Sequence, residues 1–258
     1  MVSLRAARRL CVLSMACMAA PAAFAQDAPA FDRPGIAFST SVLPPGAFAW
    51  EQGLPDASRD TRGGVRTTTW VADTLLRLGL PGALELQLGA DTVGGVRERG
   101  AGVRRSATGG GDGSAALKWA PATGSDAFAW ALLASVALPF GQAPVGDGGH
   151  ARSLGATASR DLGGGRSVSL FAQREWSGRG DRWLLSPCIG FELSDALAGY
   201  VEAGVGGGSE RQRMAGGGFT WMATPRLQLD ASLLRGLGGD SPDWQAGIGA
   251  SLYFAPRR

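Results

Sequence analysis

The sequence is poor in the residue types that build metal sites and disulfides. It has three cysteines and one histidine in 258 residues, and Cys11 and Cys17 lie close to the N-terminus. Cys188 and His150, which lie further along the chain, cannot by themselves supply the ligands of a zinc site or an internal disulfide. We therefore expect the chain to use no metal and no cofactor.

Long apolar runs are also lacking, and none after the N-terminus is long enough for a membrane-spanning helix. The N-terminus instead has the three parts of a secretory signal. The basic start contains Arg5, Arg8 and Arg9, and a short apolar stretch follows at Leu10–Ala20. A small-x-small cleavage site lies at Ala23-Phe24-Ala25. We predict that residues 1–25 are a signal peptide and that Gln26 begins the mature chain.

Excess charge of either sign is absent once the signal is removed. Residues 1–25 contain three arginines and no acidic residue, which leaves 22 basic and 22 acidic residues in the mature chain. A near-neutral chain gives no electrostatic argument for nucleic acid as a partner. Lysine is almost missing, since Lys118 is the only one, whereas the sequence has 41 glycines and eight tryptophans. This composition suits a membrane barrel with an aromatic girdle, and also a glycine-rich soluble β-protein.

Period-two alternation of apolar and polar residues is the pattern that recurs along the mature chain. In Leu84–Asp91 the even positions are apolar and the odd ones are polar or glycine, and Trp70–Leu80 alternates in the same way. Such alternation predicts strands with one apolar face. Twelve candidates result, near 46–52, 69–80, 84–91, 113–119, 128–138, 153–161, 167–175, 183–193, 197–205, 213–222, 227–233 and 244–254.

Short and long connections alternate between these strands. Short turns are predicted near 81–83, 120–126, 163–165, 194–196 and 223–225. Long polar connections are predicted near 53–65, 93–112, 139–152, 176–182, 206–212 and 236–242. Outer-membrane barrels have short periplasmic turns and longer external loops, whereas a β-sandwich has no reason for this alternation.

The predicted fold is therefore all-β, a transmembrane antiparallel up-and-down β-barrel of about twelve strands in the cell outer membrane. The barrel would span residues 46–254, with a tail at 255–258. Residues 26–45 would be either a periplasmic lead or a plug, because Pro34, Pro44 and Pro45 oppose regular pairing. A soluble periplasmic β-protein, in which the apolar stripes are buried, is the alternative.

Several short stretches resemble the outer-membrane transporter family of the phenol-degradation (MetA) pathway, which also includes the export channels of functional amyloid. They are Asp32–Gly35, Pro45-Gly46, Glu51, Leu76–Leu80, Leu84–Leu86, Lys118-Trp119, Leu138-Pro139 and Gly141. The likeness runs from about residue 31 to 254. It implies a twelve-stranded barrel, with a homotrimer as one assembly, that moves small or apolar molecules. The amyloid exporters resemble this chain less, because they carry a long N-terminal extension.

Polar residues on the inward face of the predicted strands are the candidate site. Their side chains would line the lumen, and they are Asp73, Arg77, Glu85, Gln87, Asp91, Lys118, Glu202 and Asp230. They could contact a solute, or they could neutralise one another across a packed interior. Arg77 and Glu85 flank the turn at 81–83 closely enough to form a cross-strand pair.

We expect a channel for small, apolar or aromatic solutes rather than an enzyme. A structural or adhesive barrel with a filled lumen is the alternative, and a hydrolase using His150 and Ser153 is a weaker one. Expected partners are outer-membrane lipid and lipopolysaccharide, the barrel-assembly machinery and a small-molecule solute. The connection at 93–112 carries Arg97, Arg99, Arg104 and Arg105, which could attract lipopolysaccharide phosphates or simply be solvated.

Overall fold

A computed structural model describes residues 30–146 and 148–256 of the chain. These residues form thirteen antiparallel strands. The predicted signal peptide lies outside these residues. Within them no helix has the length and apolarity needed to cross a membrane. The strands are β1 (Phe48–Arg62), β2 (Val65–Leu80), β3 (Leu84–Gly100), β4 (Val103–Gly109), β5 (Gly113–Trp119), β6 (Phe128–Leu138), β7 (Ala151–Asp161), β8 (Arg166–Ser177), β9 (Gly180–Ser194), β10 (Leu197–Gly208), β11 (Gln212–Thr224), β12 (Leu227–Gly239) and β13 (Trp244–Phe254).

The sheet closes on itself because β1 pairs with β2 on one side and with β13 on the other. β3 pairs with β5 through its first half and with β4 through its second half, so β4 and β5 act as one interrupted strand. The interruption lies at residues 110–112, where Gly111 N donates to the Asp91 carbonyl (2.7 Å). The result is the predicted twelve-stranded closed barrel. Closure matters because lipid offers no partner to an unpaired strand edge.

Five of the six predicted long connections are wrong in extent, because strands occupy most of their residues, and the longest of the five are 53–65 and 93–112. Most of 53–65 belongs to β1 and β2, and most of 93–112 belongs to β3 and β4, so the hairpins turn tightly at 63–64 and 101–102. Both faces of these extensions carry polar residues, so the apolar alternation stops there although backbone pairing continues. Strand length was therefore underestimated, while each hairpin was placed correctly.

The apolar stripes cover the outside of the barrel. Leu78, Leu86, Leu88 and Ile248 are exposed, whereas their inward neighbours are largely buried or glycine. Exposed stripes of this kind fit acyl chains and contradict the soluble alternative. Tryptophans mark both ends of the band, with Trp50, Trp119, Trp130 and Trp221 near the short turns and Trp70, Trp176, Trp183 and Trp244 toward the opposite end.

Candidate functional site

Residues 30–46, called here the inner segment, lie inside the ring of strands. Ile36 N donates to Glu202 Oε2 on β10 (3.0 Å), and Thr40 Oγ1 hydrogen bonds with Ser159 Oγ on β7 (2.9 Å). Leu43 N donates to Glu85 Oε2 on β3 (2.8 Å). These three strands lie on different sides of the barrel, so the inner segment crosses the interior.

The first ionic cluster is centred on Arg77 of β2. Its Nε and Nη2 donate to the two oxygens of Glu85 (2.8 and 3.0 Å), which confirms the predicted cross-strand pair, and its Nη1 donates to Glu51 Oε1 (2.7 Å). The side chains of all three residues are fully buried. A guanidinium with both ends occupied by carboxylates is the arrangement that best offsets desolvation of the charges.

Asp32 attaches the inner segment to this cluster. Its Oδ1 accepts a bond from Lys118 Nζ (2.8 Å) and its Oδ2 one from Gln87 Nε2 (2.7 Å), while its backbone nitrogen donates to Glu51 (3.0 Å). Burial by itself raises the pKa of the Asp32 carboxyl. The positive charges of Lys118 and Arg77 and hydrogen bonds from Lys118 and Ser39 outweigh burial, so its pKa lies well below the usual range.

Arg33 forms the second ionic cluster with three carboxylates. Its guanidinium donates to both oxygens of Asp56 (2.9 and 3.0 Å), to Asp73 (3.1 Å) and to Asp230 (3.4 Å). Asp56 reaches it because the register of β1 shifts between Gly53 and Asp56. Such a bulge re-aims the side chains that follow it. The inner segment thus supplies the cation for carboxylates from three strands.

The barrel wall around the inner segment carries more negative than positive charge. In the two clusters and beside Ile36, the strands supply six carboxylates but only two cations. The carboxylates are those of Glu51, Asp56, Asp73, Glu85, Glu202 and Asp230, and the cations are Arg77 and Lys118. Within the described residues, Glu202 Oε1 and Asp230 Oδ2 are buried without a hydrogen-bond partner. The interior therefore favours positive over negative charge.

The inner segment separates two cavities. One, of about 330 Å³, is bordered by Pro34, Gly35 and Ile36 together with residues of β1, β2, β12 and β13. The other, of about 510 Å³, lies toward the short-turn end and is lined by residues that include Ser159, the partner of Thr40. We call the first the outer cavity and the second, toward the short turns, the inner cavity.

An apolar contact adds to the barrier between the cavities. Phe38 of the inner segment meets Phe171 of β8 edge to face, with ring centroids 5.6 Å apart, and Ala131 of β6 packs in the same cluster. Lys118 Nζ lies 5.4 Å from the centroid of the Phe38 ring. One aromatic side chain therefore bridges the apolar wall and the first ionic cluster.

The predicted lumen residues fall into three groups. Arg77, Glu85, Gln87 and Lys118 belong to the first cluster, and Asp73 and Asp230 to the second. Glu202 holds the backbone of Ile36, and Asp91 lies apart, beside Gly111 at the strand interruption. Contact of any of them with a solute stays a prediction.

Sequence reasoning missed four residues of these clusters: Asp32, Arg33, Glu51 and Asp56. Asp32 and Arg33 lie in a segment without periodicity, and Asp56 lies in a stretch predicted as a loop. Glu51 could have been found, because it alternates with Trp50 in the weak first strand.

The remaining candidates are placed differently. Arg97 and Arg99 lie in β3 and Arg104 and Arg105 in β4, so they belong to a paired hairpin rather than to the predicted connection. Ser153 Oγ of the hydrolase alternative hydrogen bonds with Ser135 Oγ (2.7 Å), and His150 is exposed. Among residues 30–146 and 148–256 no His, Cys, Asp and Glu side chains are grouped as metal ligands.

Solved barrels share this fold. The COG4313 outer membrane channel from Pseudomonas putida F1 superposes with a TM-score of 0.66 at 17% identity, covering 86% of this chain and 99% of that one. The KdgM porin in complex with disordered oligogalacturonate gives 0.53 at 8% identity, covering 81% and 99%. The NanC porin gives 0.51 at 7%, covering 80% and 98%.

At these identities the structural likeness shows the fold, that of outer-membrane β-barrels. No curated protein matches the chain in sequence. The family described as "Putative MetA-pathway of phenol degradation" matches residues 31–254, which is most of the chain. The chain is an outer-membrane β-barrel and belongs to that family.

Proposed function

We propose that the chain is an outer-membrane channel for small, neutral aromatic solutes, closed in this structure by the inner segment. The observation that carries the proposal is the pair of cavities on either side of a segment held by hydrogen bonds and ion pairs. When the segment leaves, water enters the lumen and can hydrogen bond to the polar groups that the attachments release. The phenol-degradation family and the likeness to an outer membrane channel support it.

The outer cavity suits a ring with a hydroxyl group. Its apolar lining includes Ile36, Val71 and Leu234. Its polar groups come from Ser58, Thr69, Ser232, Gln245 and Asp56, and the Asp56 carboxylate is paired with Arg33. A mostly apolar pocket with a few polar groups is the usual design of a small-molecule site. Phenols combine the same two chemistries.

Uptake in intact cells tests this function. In a porin-deficient strain, the chain is expected to increase the rate of labelled catechol uptake severalfold more than the rate of glucose uptake. The reason is that the apolar lining of the outer cavity binds an aromatic ring better than a sugar. Leu234→Asn should lower catechol uptake, since Leu234 lines the outer cavity. Leu162→Asn is the control, because Leu162 is 54% exposed near a short turn. Catechol uptake equal to that of cells without the chain would refute the channel.

Cys188 offers a native reporter of the interior. It lies half-buried in β9, opposite Ser169 of β8 and Glu202 of β10 in the strand register. A cationic methanethiosulfonate should modify it severalfold faster than an anionic one, because the Glu202 carboxylate attracts the former. Mass spectrometry of the folded protein measures both rates, and Glu202→Gln should make them similar. Equal rates in the unaltered chain would argue against an electronegative interior.

Two other functions remain second candidates. A permanently closed structural barrel is favoured by the buried ion pairs that fix the inner segment, and it predicts no catechol uptake at all. Amyloid export would require an unfolded polypeptide to pass the space that the inner segment fills. Small-solute passage needs a smaller displacement, so we place it first.

A further inference from the structure

Three arginines stand directly opposite one another across β2, β3 and β4. Arg66 pairs in register with Arg99, and Arg99 pairs with Arg104. Residues opposite one another on antiparallel strands have their Cβ atoms about 5 Å apart. Arg97 lies two residues from Arg99 and therefore on the same face. We call these four residues the arginine row.

The arginine row has no counter-charge within the part of the chain that the structure describes. All four side chains are exposed, and no acidic side chain pairs with any of them. The nearby acid, Glu98, lies on the opposite face, where Arg105 approaches it at 4.0 Å. Like charges directly opposite each other destabilise a sheet. An anion bound across the row would remove this repulsion.

The position of the row identifies the anion. Alternation along β2 places Arg66 on the same face as Trp70, Leu76 and Leu78, which is the lipid-facing side. The row lies at the end of β2 away from the short turns, and therefore on the extracellular side of Trp70. Trp70 belongs to the aromatic residues that mark the membrane interface. Anionic groups at this level belong to lipids of the outer leaflet.

We propose that the arginine row binds the phosphate groups of lipid A, the membrane anchor of lipopolysaccharide. Arginine presents planar donor pairs that bind phosphate in a bidentate manner. Trp70, below the row, contacts the upper acyl chains in the same complex. The site lies on the outer surface, separate from the interior that the channel would use.

Binding of purified lipid A to the delipidated full-length protein in detergent tests the proposal. The unaltered chain is expected to bind bisphosphorylated lipid A, and R99S/R104S should weaken binding by about tenfold or more, because two bidentate partners are lost. R166S/R226S removes the same charge from exposed positions at the opposite, short-turn end of the barrel, so its binding should stay unchanged. Heat-modifiable migration in gels verifies that both variants are folded barrels.

Three results would overturn the assignment. Dephosphorylated lipid A with the same acyl chains could bind the unaltered protein equally well, which would show that acyl chains drive binding. Inorganic phosphate at the same concentration could displace lipid A, which would indicate a site for free phosphate. The R166S/R226S control could lose binding as strongly as R99S/R104S, which would reduce the effect to net charge.

Discussion

Deleting residues 30–44 is expected to raise the single-channel conductance of the barrel severalfold and to make it cation-selective. The deletion joins the outer and inner cavities, which the inner segment separates. It also removes Arg33, the counter-charge of Asp56, Asp73 and Asp230. Carboxylates then face the open pore, and a ring of carboxylates favours cations. Conductance and reversal potential in a salt gradient across a planar bilayer measure both effects.

A chain in which residues 30–44 are replaced by glycine and serine of equal number is the matched control for length. It keeps the connection but loses the ion pairs, so it should open intermittently. Arg33→Gln alone should shift selectivity toward cations without the full rise in conductance. A deleted chain that stays closed, or that prefers anions, would contradict the assignment of the inner segment as the closing element.

The architecture could be predicted because membrane strands repeat a simple constraint. Each strand must present an apolar face to lipid, so the alternation in Leu84–Asp91 predicts both its strand and the inward direction of Glu85 and Gln87. This signal ends where the strand leaves the membrane. The extensions of β1 and β3 were therefore predicted as loops, although their backbones remain paired.

The interior was only partly predictable, for a different physical reason. Arg77 and Glu85 are near in sequence and flank one turn, so local geometry indicates their pairing. Asp32 and Lys118 are separated by 86 positions and meet only because the inner segment crosses the closed barrel. No periodicity marks a segment that contacts many strands at once. Its bonds to Glu51, Glu85 and Glu202 could be found only from the folded chain.

Arg77→Met is expected to lower the stability of the barrel by about 3–5 kcal/mol, the typical cost of breaking a buried ion pair. The substitution leaves the carboxylates of Glu51 and Glu85 buried without the guanidinium that they share. Both side chains are fully buried, so water cannot replace the lost partner. The urea midpoint of unfolding, followed by heat-modifiable migration in gels, measures the change.

Arg182→Met is the matched control, because Arg182 also bridges two carboxylates, Glu175 and Glu210, but is 44% exposed. Solvent screens such a pair, so its loss should cost no more than about 1 kcal/mol. Combining Arg77→Met with Glu51→Gln and Glu85→Gln should recover much of the lost stability, since the uncompensated charges disappear together. If Arg77→Met costs no more than Arg182→Met, burial does not make the ion pairs of the first cluster more stabilising than exposed ones.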